Sequence, residues 1–295
     1  MYPPQIESPH PSIALSTKPP FELESERQTR SQGAVRAGAP RSRLAARVER
    51  VLTAAAAGQP QVVLDVKASE LLGDAGSVAV AIRGVLSRAR PGLTSQWRVT
   101  QAFTRFGLDH ELLDSLAHAD PEIRVAGARL CGALRLTDAV PWLGDLLDDP
   151  DPRVRDAAVR ALGKTGGRRA VDTLMSAVDR IPPGRLAIEL YHAASDFELE
   201  SLLRQPVSPQ AEVPIIMACG LSGDVLRAPW LVGMAQDRDL ESRLRVAACR
   251  ALAMIRHPAA ADALRTLATE ADPDVKRAAV RARRRVNSAL KRRLA

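Results

Sequence analysis

The side chains able to do chemistry are few and scattered. Two histidines stand near carboxylates: the dipeptide His110-Glu111, and His192 with Asp196 four residues on. A four-residue spacing puts two side chains on one helix face. Two donors do not make a transition-metal site. The expectation is a solvated or structural pair, and no metal or other cofactor is assigned. The three cysteines, Cys131, Cys219 and Cys249, fall at apolar positions of helical patterns. No histidine lies at helical spacing to activate them, so they read as buried small hydrophobes. A Gly-rich phosphate loop followed by Lys and Ser/Thr is absent from the sequence, and so is a serine nucleophile elbow. No catalytic residue is assigned, and the balance is against an enzyme.

What remains are residues suited to contact. The stretch IELYHAASDFELESLL, Ile188 to Leu203, gathers Glu189, Tyr191, His192, Asp196, Glu198 and Glu200. It is the candidate for a partner site or an acid–base cluster, with Tyr191 and His192 as its contact residues. Trp142 and Trp230 each stand between Pro and Leu, at matching places in the sequence. They read either as interface anchors or as fillers between helices.

Charge gives a third candidate. The chain carries 42 basic and 34 acidic side chains, a net charge of +8. All of that excess sits in residues 274–295, in Lys276, Arg277, Arg281, Arg283, Arg284, Arg285, Lys291, Arg292 and Arg293, against Asp274 alone. The remaining residues balance, so the basic character belongs to a tail and not to a whole surface. The tail also carries an apolar stripe, Val275, Ala279, Ala282, Val286 and Leu290, at helical spacing. It reads as a helix that caps a stack and whose polar face contacts an acidic protein, a nucleic acid or an anionic membrane. It contains no aromatic residue on which single-stranded bases would stack.

These candidates need elements to position them. Only 3% of the residues are aromatic, while 46% are hydrophobic, so the core must be built from Ala, Leu and Val. The longest apolar run, Val213 to Leu221, has nine residues, far short of the ~20 needed to cross a membrane. The N-terminus lacks a basic segment followed by an apolar one, so the expectation is a cytoplasmic protein.

An internal repeat supplies the elements. The segment from Asp120 matches the segment from Asp151 at a shift of 31: Ile123 with Val154, Arg124 with Arg155, Ala126 with Ala157, Arg129 with Arg160 and Leu143 with Leu174. From Asp151 a shift of 90 brings in Leu244-Arg245, Ala247-Ala248 and Arg250-Ala251-Leu252. A further 31 reaches Val275-Lys276 and Ala278-Ala279-Val280-Arg281. Two weaker units fill the interval, one from about Pro183 and one from about Gln210. The second is traced by Cys219-Gly220 and Pro229-Trp230-Leu231, which repeat Cys131-Gly132 and Pro141-Trp142-Leu143 at a shift of 88. The units at Asp120, Asp151 and Asp272 open with Asp-Pro, a helix cap followed by a residue suited to the first turn. An apolar face follows, such as Val154, Ala157, Ala158, Ala161 and Leu162, and then a turn placed at Gly163, Gly166 and Gly167. A second helix presents Ala170, Val171, Leu174 and Val178. One such hairpin cannot bury its own face, whereas stacked neighbours can, which predicts an α-solenoid.

The unit DPxxxVRxxAxxALG…AVxxL resembles the short HEAT-like repeat first named for phycobilisome lyases. The resemblance covers about 120–286 and implies a superhelix of helical hairpins, whose second helices usually line the concave face. This repeat serves enzymes, adaptors and scaffolds alike, so it implies a fold and not a function. One HEAT-like enzyme family, deoxyhypusine hydroxylase, holds two irons through several His-Glu dipeptides. This chain has one, His110-Glu111, which argues against carrying that activity over.

Residues 43–119 read as a diverged helical start of the same solenoid. Helices are expected over 43–57, 77–88, 97–106 and 111–116, with Val62 to Val66 as a short strand. Residues 1–42 hold seven of the 21 prolines and lack apolar periodicity, so they read as a disordered arm. Residues 287–295 form the basic C-terminal end. The whole reads as an all-α, bacterial-like repeat protein acting as a non-enzymatic scaffold, with a protein partner on its concave face. The alternatives are a bilin lyase-like modifying factor and a nucleic-acid-associated adaptor working through the C-terminal helix.

Overall fold

The computed structural model describes residues 42–59, 63–88, 93–194, 199–204, 207–257 and 260–294. The proline-rich arm, up to residue 41, lies outside them. Among the described residues every regular element is a helix, in an all-α solenoid of hairpins. The N-terminal part holds α1 (Arg43–Ala56), α2 (Ala68–Gly73), α3 (Ala75–Arg88), α4 (Leu93–Thr104) and α5 (Leu108–Ser115). The repeats follow as α6 (Pro121–Leu134), α7 (Val140–Asp145), α8 (Pro152–Thr165), α9 (Gly167–Ser176), α10 (Pro183–Ala193), α11 (Pro209–Leu221), α12 (Ala228–Gln236), α13 (Ser242–Ile255) and α14 (Ala260–Leu267). The last helix is α15 (Pro273–Leu294). A 3-10 helix, Leu199–Arg204, replaces the second helix of the weak unit that α10 opens.

First helices stack on first helices. α3 packs on α6, α6 on α8, α8 on α10, α10 on α11, α11 on α13 and α13 on α15. The second helices α7, α9, α12 and α14 form the other layer. Between the layers lies an apolar core of Ala, Leu and Val, including Val154, Ala158, Leu162, Ala170, Val171 and Leu174. It comprises two clusters, and Leu203 and Trp230 pack against both.

The Asp-Pro opening does what its chemistry dictates. The Asp120 carboxylate accepts from the Glu122 amide at 2.9 Å and that of Asp151 from Arg153 at 2.8 Å. Asp272 does the same for Asp274 and Val275 at the start of α15. Each satisfies amide donors that a helix start leaves unpaired. The repeat arginine one turn on is structural as well. Arg124 holds Asp149 through two bonds of 2.7 and 3.0 Å and donates to the carbonyls of His118 and Ala119. Arg245 repeats the arrangement with Glu270 and the Ala235 carbonyl. Arg155 keeps the carbonyl half, on Asp149 and Pro150, while its acid is missing because Arg180 stands where the next one would be.

Three local expectations change. Gly163 does not belong to the turn: α8 runs on to Thr165, and the turn is made by Gly166 and Gly167, both at positive φ. Among the described residues Val63 to Val66 form no strand, having no neighbour to pair with. α2 was not expected, since six residues show too little periodicity. The C-terminal stripe buries Val275, Ala279, Ala282 and Val286, and α15 runs on to Leu294 without a break at 287.

Candidate functional site

The sequence candidates fall on different layers. Trp142 stands on the second-layer helix α7, between buried Val140 and buried Leu143, and keeps 47% of its surface exposed. Its repeat equivalent Trp230, on α12, packs against both core clusters. One of the two tryptophans therefore fills a gap between repeats, and the other presents its ring to solvent. Around α7 and α9 the charges alternate in sign: Arg168 pairs with Asp172 at 2.8 Å, and Arg180 pairs with Asp148.

Tyr191 and His192 stand on the first-layer helix α10, not beside Trp142. Tyr191 packs partly against the core. The His192 ring lies 5.0 Å from that of Tyr191. Its pKa is held below the ordinary histidine value by crowding of the ring, and then by the positive charges of Lys164, Arg185 and Arg135. Asp196 and Glu198 lie outside the described residues. Glu200 turns away to pair with Arg227 at 3.0 Å.

The acid of this stretch with a perturbed environment is Glu189, which is only 4% exposed. Burial pushes its carboxyl up to about 7, against the pull of Arg185, Lys164 and Arg160. Burial pushes Lys164 down to about 8, with Arg83 adding repulsion and Glu189 opposing it. Arg83 is lowered as well, by burial and by the charge of Arg129. Arg83, Arg129, Arg160, Lys164 and Arg185 thus form a row of cations crossing α3, α6, α8 and α10. Sequence reading missed this row because its members come from four different helices and meet only once those helices stack.

The cysteines are buried. Desolvation lifts the thiols of Cys131 and Cys219 to about 12 and that of Cys249 to about 11. Thiols held protonated in this way are inert. Among the described residues, no group of three or more His, Cys, Asp or Glu is placed to hold a metal ion. No described helix is long and apolar enough to cross a membrane.

A second surface gathers the basic tail. α11, α13 and α15 border a groove of about 880 Å³. Arg277, Arg281 and Arg285 of the tail line it together with Arg243 and Arg250 of α13. Lys276, Arg283 and Arg284 are not among its lining residues. Lys291, Arg292 and Arg293 continue the backbone of α15, and their side chains are outside the described ones.

The family model for HEAT repeats matches residues 110–193 and 198–284. Human deoxyhypusine hydroxylase in complex with glycerol is similar at 17% identity, over 82% of this chain and 97% of that one, with a TM-score of 0.31. Two engineered proteins are similar at 20% and 18% identity, with TM-scores of 0.28 and 0.36. The first covers 82% of this chain and 96% of its own, the second 81% and 68%. No curated protein matches the sequence.

Proposed function

This chain belongs to the HEAT-repeat family, and we propose that it is a non-catalytic scaffold whose layer of second helices holds a protein partner, anchored on Trp142. The observation that carries this reading is the contrast between the two repeat-equivalent tryptophans. The repeat fold needs only one of them for packing, Trp230. Trp142 instead offers a large ring, 47% exposed, on a helix already anchored by buried Val140 and Leu143. A rigid aromatic on a fixed helix loses little entropy on binding, which is why tryptophan is enriched among the residues that dominate interfaces. The second-helix layer also carries mixed-sign ion pairs, Arg168 with Asp172 and Arg180 with Asp148, the polar chemistry usual at an interface rim.

The test is capture from native extract treated with nuclease, using the full chain, Trp142→Ala and Trp230→Ala. A discrete partner is expected with the parent chain, and at least tenfold less of it with Trp142→Ala. Trp230→Ala is expected to lower the melting temperature, because it opens a cavity between the clusters. A partner retained by Trp142→Ala, or recovery that depends wholly on nucleic acid, would sink the reading.

A further inference from the structure

The groove between α11, α13 and α15 shows a graded chemistry. Three of its rows cross the helices in order. The middle row is Met217, Arg250 and Arg281, which hold the same repeat position as Arg129 and Arg160. One turn before it stand Val213, Val246 and Arg277; one turn after it, Met254 and Arg285 face the same groove. The α11 side is therefore apolar, the α13 side mixed and the α15 side arginine at every turn. The arginines of α15 are spaced by four residues, so the charged strip runs roughly 12 Å along the helix.

Two of the five arginines are already engaged. Arg243 is held by Glu212 and Glu241, each at 2.6 Å, and Arg277 by Asp274. Arg250, Arg281 and Arg285 have no carboxylate partner among the described residues, and all three are exposed. Capping a solenoid end requires a polar outer face, but it does not require three unpaired guanidiniums converging on an apolar floor.

From this gradient we infer that the groove is the docking site for an acidic amphipathic helix of a partner protein. Its carboxylates, repeating every four residues, meet Arg281 and Arg285 with Arg250 beside them, and its apolar stripe lies on Val213, Met217, Val246 and Met254. Guanidinium forks pair with carboxylates through two parallel hydrogen bonds. Methionine floors adapt to the apolar face of a bound helix. A nucleic acid fits less well, because its phosphates would engage the arginines while nothing covered the valine and methionine side, and no aromatic is present for its bases. This surface lies on the first-helix layer and does not rest on Trp142.

The experiment is fluorescence anisotropy with the full chain at 100 mM salt. The probe is a fluorescein-labelled 16-residue helical peptide with glutamate at every fourth position beside a leucine stripe. Its glutamine-for-glutamate version and a 20-nucleotide single-stranded DNA are the comparison probes. The acidic peptide is expected to bind in the micromolar range, at least tenfold more tightly than the glutamine version or the DNA. Arg250→Glu with Arg281→Glu is expected to weaken it at least tenfold, and Met217→Ser about threefold. Arg50→Glu, at an exposed position of α1, is expected to leave it unchanged, and circular dichroism checks that each variant remains folded. Absence of peptide binding, equal affinity for the glutamine version, tighter binding of DNA, or indifference to the α13 and α15 charge reversals would each overturn the proposal.

Discussion

Gly163 of α8 and Glu189 of α10 meet where two first helices approach most closely. A Cβ on Gly163 would lie 3.0 Å from the Glu189 Cβ and 2.1 Å from its Oε2. The same approach recurs as Gly132 against Ala161 and as Gly220 against Ala251. Glu189 therefore stands where the other repeats place alanine. The weakest part of the repeat puts a carboxylate into a helix-to-helix seam and surrounds it with Arg185, Lys164 and Arg160.

That carboxylate makes stability depend on pH. A folded-state value of about 7, raised from 4.5, favours the protonated form. Its penalty is absent below about pH 4.5, grows as pH rises and is complete above pH 7. Glu189→Gln keeps the shape and removes the charge. The variant is expected to match the parent near pH 4.5 and to exceed it by about 1–3 kcal/mol at pH 8. Thermal unfolding at pH 5, 6, 7 and 8 measures the difference. His192, lowered by its surroundings, titrates in both proteins, whereas Lys164, lowered to about 8 against the pull of Glu189, loses that pull in the variant, so the difference reports Glu189 together with its coupling to Lys164. A constant offset across this range would show that the seam does not sense protonation.

The glycines of the seam predict a sharp contrast. Gly220→Ala would set a methyl group 2.6 Å from the Ala251 Cα and 2.7 Å from its Cβ. Backbone has no rotamer with which to yield, so α11 and α13 must separate, at a cost of about 2–3 kcal/mol. Gly184→Ala, in α10 with nothing within 4 Å, is expected to stabilise by about 0.5 kcal/mol through the unfolded chain. Urea unfolding of the two variants checks the pair, and similar effects would refute the close packing.

Periodic features were legible in the sequence and single ones were not. Asp120, Asp151 and Asp272 announce helix starts because capping is local chemistry. Val154, Ala158 and Leu162 announce a buried face because helical spacing is geometry. Even the weak units declare their openings, at Pro183 and Pro209. In sequence Gly163 reads as part of a turn because it stands close to Gly166 and Gly167, whereas its role depends on a helix in the next repeat. The cation row and the arginine gradient of the groove were hidden for the same reason. Arg83, Arg129 and Lys164, or Met217, Arg250 and Arg281, are tens of residues apart and come together only once first helices stack.

The arginine that closes Asp-Pro-Glu-Ile-Arg at 120–124 and Asp-Pro-Arg-Val-Arg at 151–155 predicts a coupling between neighbouring repeats. Arg124, in α6, reaches Asp149, which accepts the Asp151 amide at 2.9 Å where α8 begins. The pair is largely shielded, with side chains 13% and 5% exposed. Burial alone would raise the Asp149 carboxyl, but the bonds from Arg124 and Asp151 outweigh it and hold it below the ordinary carboxylate value. A depressed carboxylate contributes stability that is present above its ordinary value and is lost as pH falls through the lower folded one, so this pair helps to set the acid limit of the fold. Asp149→Ala strands the Arg124 guanidinium and is expected to cost about 2–3 kcal/mol. Arg124→Ala strands the carboxylate at a similar cost, and Arg124→Lys restores only part of it, because an ammonium cannot hold both oxygens in parallel. The double variant is expected to cost clearly less than the two single ones together, since the second change removes a group already left unpaired. A urea-unfolding cycle at pH 7 measures that coupling. Strictly additive losses would mean that Arg124 acts only through the carbonyls of His118 and Ala119, and that one repeat does not fix where the next begins.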